Sequence, residues 1–127
     1  MSPPAPTPTV LVVDDDADVR ASVAEALSDS GFRPLQAENG REALRRLQEG
    51  ARPDAILLDL MMPIMDGWAL REALLAAPAL ATIPVVVFTA HGITPEQAAP
   101  LRAQAVLRKP VGLQALLDAL ARVLGGG

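Results

Sequence analysis

The sequence contains no cysteine and no tyrosine, and only two phenylalanines, one tryptophan and one histidine among 127 residues. Without cysteine there is neither a disulfide framework nor a thiolate metal site. With so few aromatics the core has to be built from alanine, valine and leucine. No apolar run approaches the roughly 20 residues that a membrane span needs. Met1 to Thr9 lack the basic and apolar segments of a secretory signal. No basic block is present, and the net charge of −4 speaks against the electrostatic footprint of a nucleic-acid binder. These absences point to a cytoplasmic protein with neither membrane nor nucleic acid as a partner.

What is present fits one domain. Half of the residues are hydrophobic, ample for a single core. Four prolines among residues 2–8 predict a disordered arm over 1–8, followed by a folded domain over 9–124 and a flexible glycine tail over 125–127. Within the domain, short apolar runs alternate with helical patterns. Val10–Val13, Ala55–Leu58 and Val85–Phe88 are continuous and β-rich, as strands buried on both faces are. Arg33–Ala37 is a weaker strand and Ala105–Arg108 a last one. Val19, Val23, Ala26 and Leu27 recur at helical spacing up to Gly31. Arg41–Gln48, Trp68–Leu75 and Leu113–Leu124 are also helical. Thr94-Pro95-Glu96-Gln97 reads as a capped helix start that Pro100 cuts short. Five strands alternating with five helices predict an α/β fold, a doubly wound parallel sheet. Sites in such folds lie beyond the carboxyl ends of the strands.

At those ends stand Asp14-Asp15-Asp16, Asp59, Thr89-Ala90 and Arg108-Lys109-Pro110; Glu38-Asn39 ends the second strand and belongs at an edge. Several carboxylates sharing one small site cannot all stay ionised without compensating charge. With no thiolate or imidazole in the set, a hard divalent cation is favoured, and Mg²⁺ fits. A carboxylate can also act as a nucleophile and form an acyl phosphate. Phosphoryl transfer asks mainly for positioning and charge neutralisation, which Lys109, the Thr89 hydroxyl and the Ala90 N–H can supply. Asp16 or Asp18 suits the cap of the first helix, and Asp66-Gly67 a cap and tight turn before the third. Lys109 is expected in a salt bridge with the carboxylates. His91 is read as a loop residue at the pocket rim, Trp68 as half-buried packing, and Met61, Met62 and Met65 as loop packing.

Four motifs together, Val12-Val13-Asp14-Asp15-Asp16, Leu58-Asp59-Leu60-Met61-Met62-Pro63-Ile64-Met65-Asp66-Gly67, Thr89-Ala90 and Lys109-Pro110, resemble those of bacterial two-component response-regulator receiver domains. The resemblance covers about residues 9–124. It implies a flavodoxin-like strand order 2-1-3-4-5 and Asp59 as phosphoacceptor. It also implies Mg²⁺ held directly by Asp15 and Asp59, through water by Asp14, and by the backbone carbonyl of Met61. Thr89 and Lys109 would hold the phosphoryl group, and the Lys109–Pro110 peptide would be cis. The implied partners are a histidine kinase or histidine phosphotransfer protein and an unknown downstream protein target. The chain would be a monomer or weak dimer, a stand-alone regulator rather than a classical enzyme.

The sequence departs from the pattern at Val106, where an aromatic is usual, at Ala103-Gln104, at Val111, and in a short segment between Thr89 and Lys109. Valine is stiff about its first torsion and too small to swing between solvent and interior. The response to phosphorylation is therefore expected in residues 90–104. Competing readings are a Mg²⁺-dependent aspartate-nucleophile phosphatase using Asp14 and Asp16, a flavodoxin-like electron carrier, and a degenerate receiver that only binds.

Overall fold

The computed structural model describes residues 7–90, 92–110 and 112–125. The sheet is built from β1 (Thr9–Val13), β2 (Arg33–Ala37), β3 (Ala55–Leu58), β4 (Val85–Thr89) and β5 (Ala105–Arg108). All pairs are parallel, in the order β2-β1-β3-β4-β5. The unbroken apolar runs occupy the three central positions and the mixed sequences the two edges. A central strand of a doubly covered sheet has no polar face, so this assignment follows from burial alone.

Alternate residues of the strands feed two separate cores. On one face Leu11, Val13, Ile56, Leu58, Val85 and Val87 pack against α2 (Gly40–Gln48) and α3 (Gly67–Ala76), through Ala43, Leu47, Leu70 and Leu74. On the other, Val10, Val12, Leu57, Val86 and Phe88 meet Val23 and Leu27 of α1 (Ala17–Asp29) and Leu116, Ala119 and Leu120 of α6 (Leu113–Val123). Each fully buried leucine contributes about 1.5–3 kcal/mol, and aliphatic side chains carry nearly all of it.

The helix starts follow their polar caps. Asp16, not Asp18, caps α1, accepting from the N–H groups of Asp18 and Val19. Asn39 caps α2 through the N–H of Glu42, and Asp66 caps α3 through that of Ala69. Gly31, at φ 89°, leads the chain out of α1 in the left-handed region that favours glycine.

The expectation of five helices needs correction: six α-helices occur among the described residues. Pro78 ends the helical pattern of α3, but it also opens a further turn, α4 (Pro78–Ala81), because a proline at the first helical position needs no N–H partner. The capped segment at Thr94 forms only α5 (Pro95–Ala98), with the complete capping box anticipated there, followed by a 3₁₀ turn at Ala99–Leu101 that contains Pro100. Of the arm expected over 1–8, residues 1–6 lie outside the described residues, while the carbonyl of Pro8 accepts from Arg33 N–H at 2.8 Å. Of the tail, Gly126 and Gly127 lie outside them.

The start of α3 is pressed against the end of β3. Gly67 donates to the carbonyl of Leu60 at 2.9 Å. A Cβ on Gly67 would lie 2.7 Å from the Asp59 carbonyl oxygen and 2.8 Å from Leu60 Cα. Backbone cannot give way as a side-chain tip can. Gly67→Ala is therefore expected to destabilise the fold by about 1–3 kcal/mol, the range for overpacking, read as a lowered urea midpoint at unchanged m-value. An unchanged midpoint would show that α3 does not bear on the Asp59 turn.

Candidate functional site

Asp14, Asp59 and Lys109 are each placed by a sheet hydrogen bond that runs one residue past the strand. Asp14 N–H donates to Ala37 of β2 at 3.2 Å, Asp59 N–H to Val13 of β1 at 2.9 Å, and Lys109 N–H to Thr89 of β4 at 2.7 Å. The strands change direction of succession between β1 and β3, and Asp14 and Asp59 stand at the carboxyl side of that crevice. The fold thus fixes the backbones, and short side chains need little further guidance.

Ligand oxygens of Asp14, Asp15 and Asp59 all lie within 4.8 Å of one another. Asp14 and Asp59 are buried and Asp15 is exposed. Lys109 reaches into the cluster, with Nζ 2.7 Å from Asp14 Oδ2 and 3.8 Å from Asp59 Oδ1. The anticipated salt bridge is present, and Asp14 is its closer partner. The ammonium also lies over the ring of Phe88, 4.6 Å from its centroid. That cation–π contact steadies a lysine that would otherwise have many rotamers. Burial, with Asp14 adding to it, pushes the Asp59 carboxyl from 3.8 up to about 6; Lys109 and the Met61 N–H oppose the rise, and Asp15 adds a little to it. A buried, mutually repelling set of oxygen donors suits a hard divalent cation that would relieve the repulsion.

Thr89 is buried at the end of β4, between β3 and β5, and Ala90 follows it exposed. Met61 is 51 % exposed and Ile64 74 %, so the loop after β3 turns apolar side chains outward. The Lys109–Pro110 peptide is cis. Asp16 spends its carboxylate on the α1 cap, and Asn39 spends its side chain on the α2 cap. His91 and Val111 lie outside the described residues.

Three contributors were not singled out from the sequence. Arg20, on α1, donates to the backbone carbonyl of Asp14 at 2.7 Å and so fixes the acidic turn. The Asp14 carboxylate accepts from Asp16 N–H at 2.9 Å, which closes the turn on itself. Phe88, beneath Lys109, directly precedes Thr89. Its place at the end of a buried strand was visible, but nothing in the spacing signalled the lysine above it.

A family model described as the response regulator receiver domain matches residues 10–121. The transcriptional regulatory protein PrrA of Mycobacterium tuberculosis is 44 % identical over 113 residues, covering 87 % of this chain and 47 % of that protein. The response regulator MprA of Mycolicibacterium vanbaalenii is 39 % identical over 117 residues, covering 91 % and 49 %. The chain therefore spans about half the length of these relatives. Among solved structures, the chemotaxis protein CheY4 of Vibrio cholerae superposes with TM-score 0.85 at 33 % identity, covering 93 % of this chain and 99 % of that one. A signal receiver domain of a histidine kinase from Syntrophus aciditrophicus gives TM-score 0.85 at 32 % identity, covering 94 % and 92 %.

The raised Asp59 value has a consequence for stability without metal. The folded chain holds this proton more tightly than the unfolded chain, so stability falls as pH rises from about 4 through about 6. An asparagine side chain in the same place cannot ionise. Asp59→Asn is expected to stabilise the metal-free protein by up to about 3 kcal/mol above pH 7, and the advantage should fade below pH ~4. Paired thermal melts in chelator across that window are the check; a pH-independent difference would refute it.

Proposed function

This chain belongs to the response-regulator receiver family, and on that premise we propose that it accepts a phosphoryl group on Asp59 and signals through the conformation that results. One observation carries the reading: three carboxylates and one lysine, contributed by the ends of β1, β3 and β5, converge within a few ångströms, with the Asp59 carboxylate buried among them.

In this reading an Asp59 oxygen attacks phosphorus, an aspartyl phosphate forms, and the bond to the donor's leaving group breaks with its electron pair. The donor is the phosphoimidazole of a histidine kinase or phosphotransfer protein. Burial raises Asp59 only to about 6, so the nucleophile is largely ionised at neutral pH. Lys109, beside both Asp14 and Asp59, would turn to a phosphoryl oxygen. The Thr89 hydroxyl and Ala90 N–H would donate to another. Asp14, Asp15, Asp59 and the Met61 carbonyl would hold Mg²⁺, whose chemistry when bound is to neutralise charge on the carboxylates and the phosphoryl oxygens. Arg20 keeps the acidic turn in register. The chain is then a phosphoacceptor that promotes its own modification, with output through contacts with another protein. Extending the relatives' regulatory outputs to the whole protein is part of the proposal.

The phosphatase reading loses a residue. It needs a second carboxylate two positions after Asp14, but Asp16 is engaged with two helix N–H groups. The electron-carrier reading has no aromatic platform at the strand ends, among the described residues, beyond the buried Phe88.

Incubation with acetyl phosphate and Mg²⁺ should add one phosphoryl mass to the wild type and none to Asp59→Asn. An equal mass gain in the variant would move the acceptor elsewhere. Mg²⁺ alone should also raise the melting temperature, by the equivalent of about 2.7 kcal/mol at a hundred times its dissociation constant. Asp15→Asn should remove most of that gain. A melting curve indifferent to tens of millimolar Mg²⁺ would count against the metal role.

A further inference from the structure

Arg71 is 3 % exposed, yet the ion pairs among the described residues give it no carboxylate. Its Nε donates to the carbonyl of Leu101 and its Nη2 to that of Arg102, at 3.2 Å. Nη1 is buried without a partner. One helical turn earlier, on the same side of α3, Trp68 Nε1 donates to the carbonyl of Gln97 at 3.1 Å. All three acceptors belong to one stretch, α5, the 3₁₀ turn and the residue after it. Such short helices leave their last carbonyls unpaired. Here α3 supplies the missing donors, and a guanidinium at a helix C-terminus is also favoured by the dipole.

This stretch has little else to hold it. A four-residue helix has no stability of its own, no residue of α5 is buried, and of the 3₁₀ turn only Leu101 is. It is nevertheless tied to the candidate site twice. Its chain continues from Thr89 to the capping box at Thr94. Its anchor, α3, is pressed against the backbone of Asp59 and Leu60 at Gly67.

We propose that Trp68 and Arg71 form a latch that holds residues 97–102 in the resting arrangement, and that phosphorylation at Asp59 must work against it. The second half rests on the phosphoacceptor reading above. When Thr89 turns toward a phosphoryl group, the loop to Thr94 follows, and the capping box passes the movement to the stretch that α3 holds. The latch thereby biases the domain toward its unphosphorylated form, and Arg71 is a positioning residue for the output segment. A contact present in one state and strained in the other is what a two-state switch requires.

The test uses Arg71→Met, Arg71→Lys and Trp68→Phe in the intact chain. Trp68→Phe keeps a smaller aromatic ring and deletes the indole donor, so it serves should Arg71→Met fail to fold. In the absence of phosphodonor, amide hydrogen exchange across 97–104 should accelerate on the order of tenfold in Arg71→Met and Trp68→Phe, while β1 and β3 stay as in the wild type. The midpoint for beryllofluoride with Mg²⁺, a phosphoryl mimic, should fall at least about threefold in the same variants, and Arg71→Lys should restore part of both effects. Unchanged exchange across 97–104 in both variants would overturn the latch. So would a loosened segment with unchanged or weaker beryllofluoride binding. A wild type that does not bind beryllofluoride at all would count against the phosphoacceptor reading alone, since the exchange arm still decides whether the latch holds the segment.

Discussion

The contact between Lys109 Nζ and Asp14 Oδ2, 2.7 Å long, joins the ends of β5 and β1, which two strands separate in the sheet. It is the constraint on which the rest of the site turns. Two buried carboxylates and an exposed third would repel without it, and burial makes that repulsion stronger than it would be in water. The sheet has to deliver both strand ends at the same height for one lysine to serve two aspartates. The parallel register does so, because every strand points its carboxyl end the same way. The Phe88 ring below Lys109 narrows the range of positions open to its ammonium.

The same pair makes the resting site incomplete in charge. One cation faces three carboxylates, and Asp59, chiefly because it is buried and then because Asp14 lies beside it, holds its proton more tightly. The site therefore stores a demand for positive charge that a divalent cation would meet. The acidic turn could relax that demand by opening, but Arg20 and the Asp16 N–H both fasten Asp14 in place. Preorganisation of this kind keeps the groups where a transferring phosphoryl would need them.

Much of this was readable before any coordinates. Strands buried on both faces appear as unbroken apolar runs, so the central sheet was legible, and residues that follow such runs are at the strand ends by construction. That is why Asp14, Asp15, Asp59, Thr89 and Lys109 could be named together. Caps are local and were legible at Asp66 and Thr94, while the choice of Asp16 over Asp18 needed coordinates. Proline was read in one sense only: Pro78 stops α3, but it starts α4 equally well. The partners of Arg71 and Trp68 are about thirty positions downstream, and helical periodicity carries no information at that range. Trp68 was accordingly read as packing, and nothing in residues 90–104 signalled a contact with α3. Gln97, Leu101 and Arg102 accept hydrogen bonds from α3.

Trp68 is the only tryptophan, and the chain has no tyrosine. Its indole N–H is bonded to the carbonyl of Gln97, and the ring is partly buried against the α2–α3 core. Nearly all near-ultraviolet absorption and emission of this protein therefore comes from one ring at the seam between α3 and the segment before β5. The scarcity of aromatics that shapes the core also leaves the molecule with a single built-in optical probe, free of spectral background, at a junction where relative motion of two elements would change its surroundings.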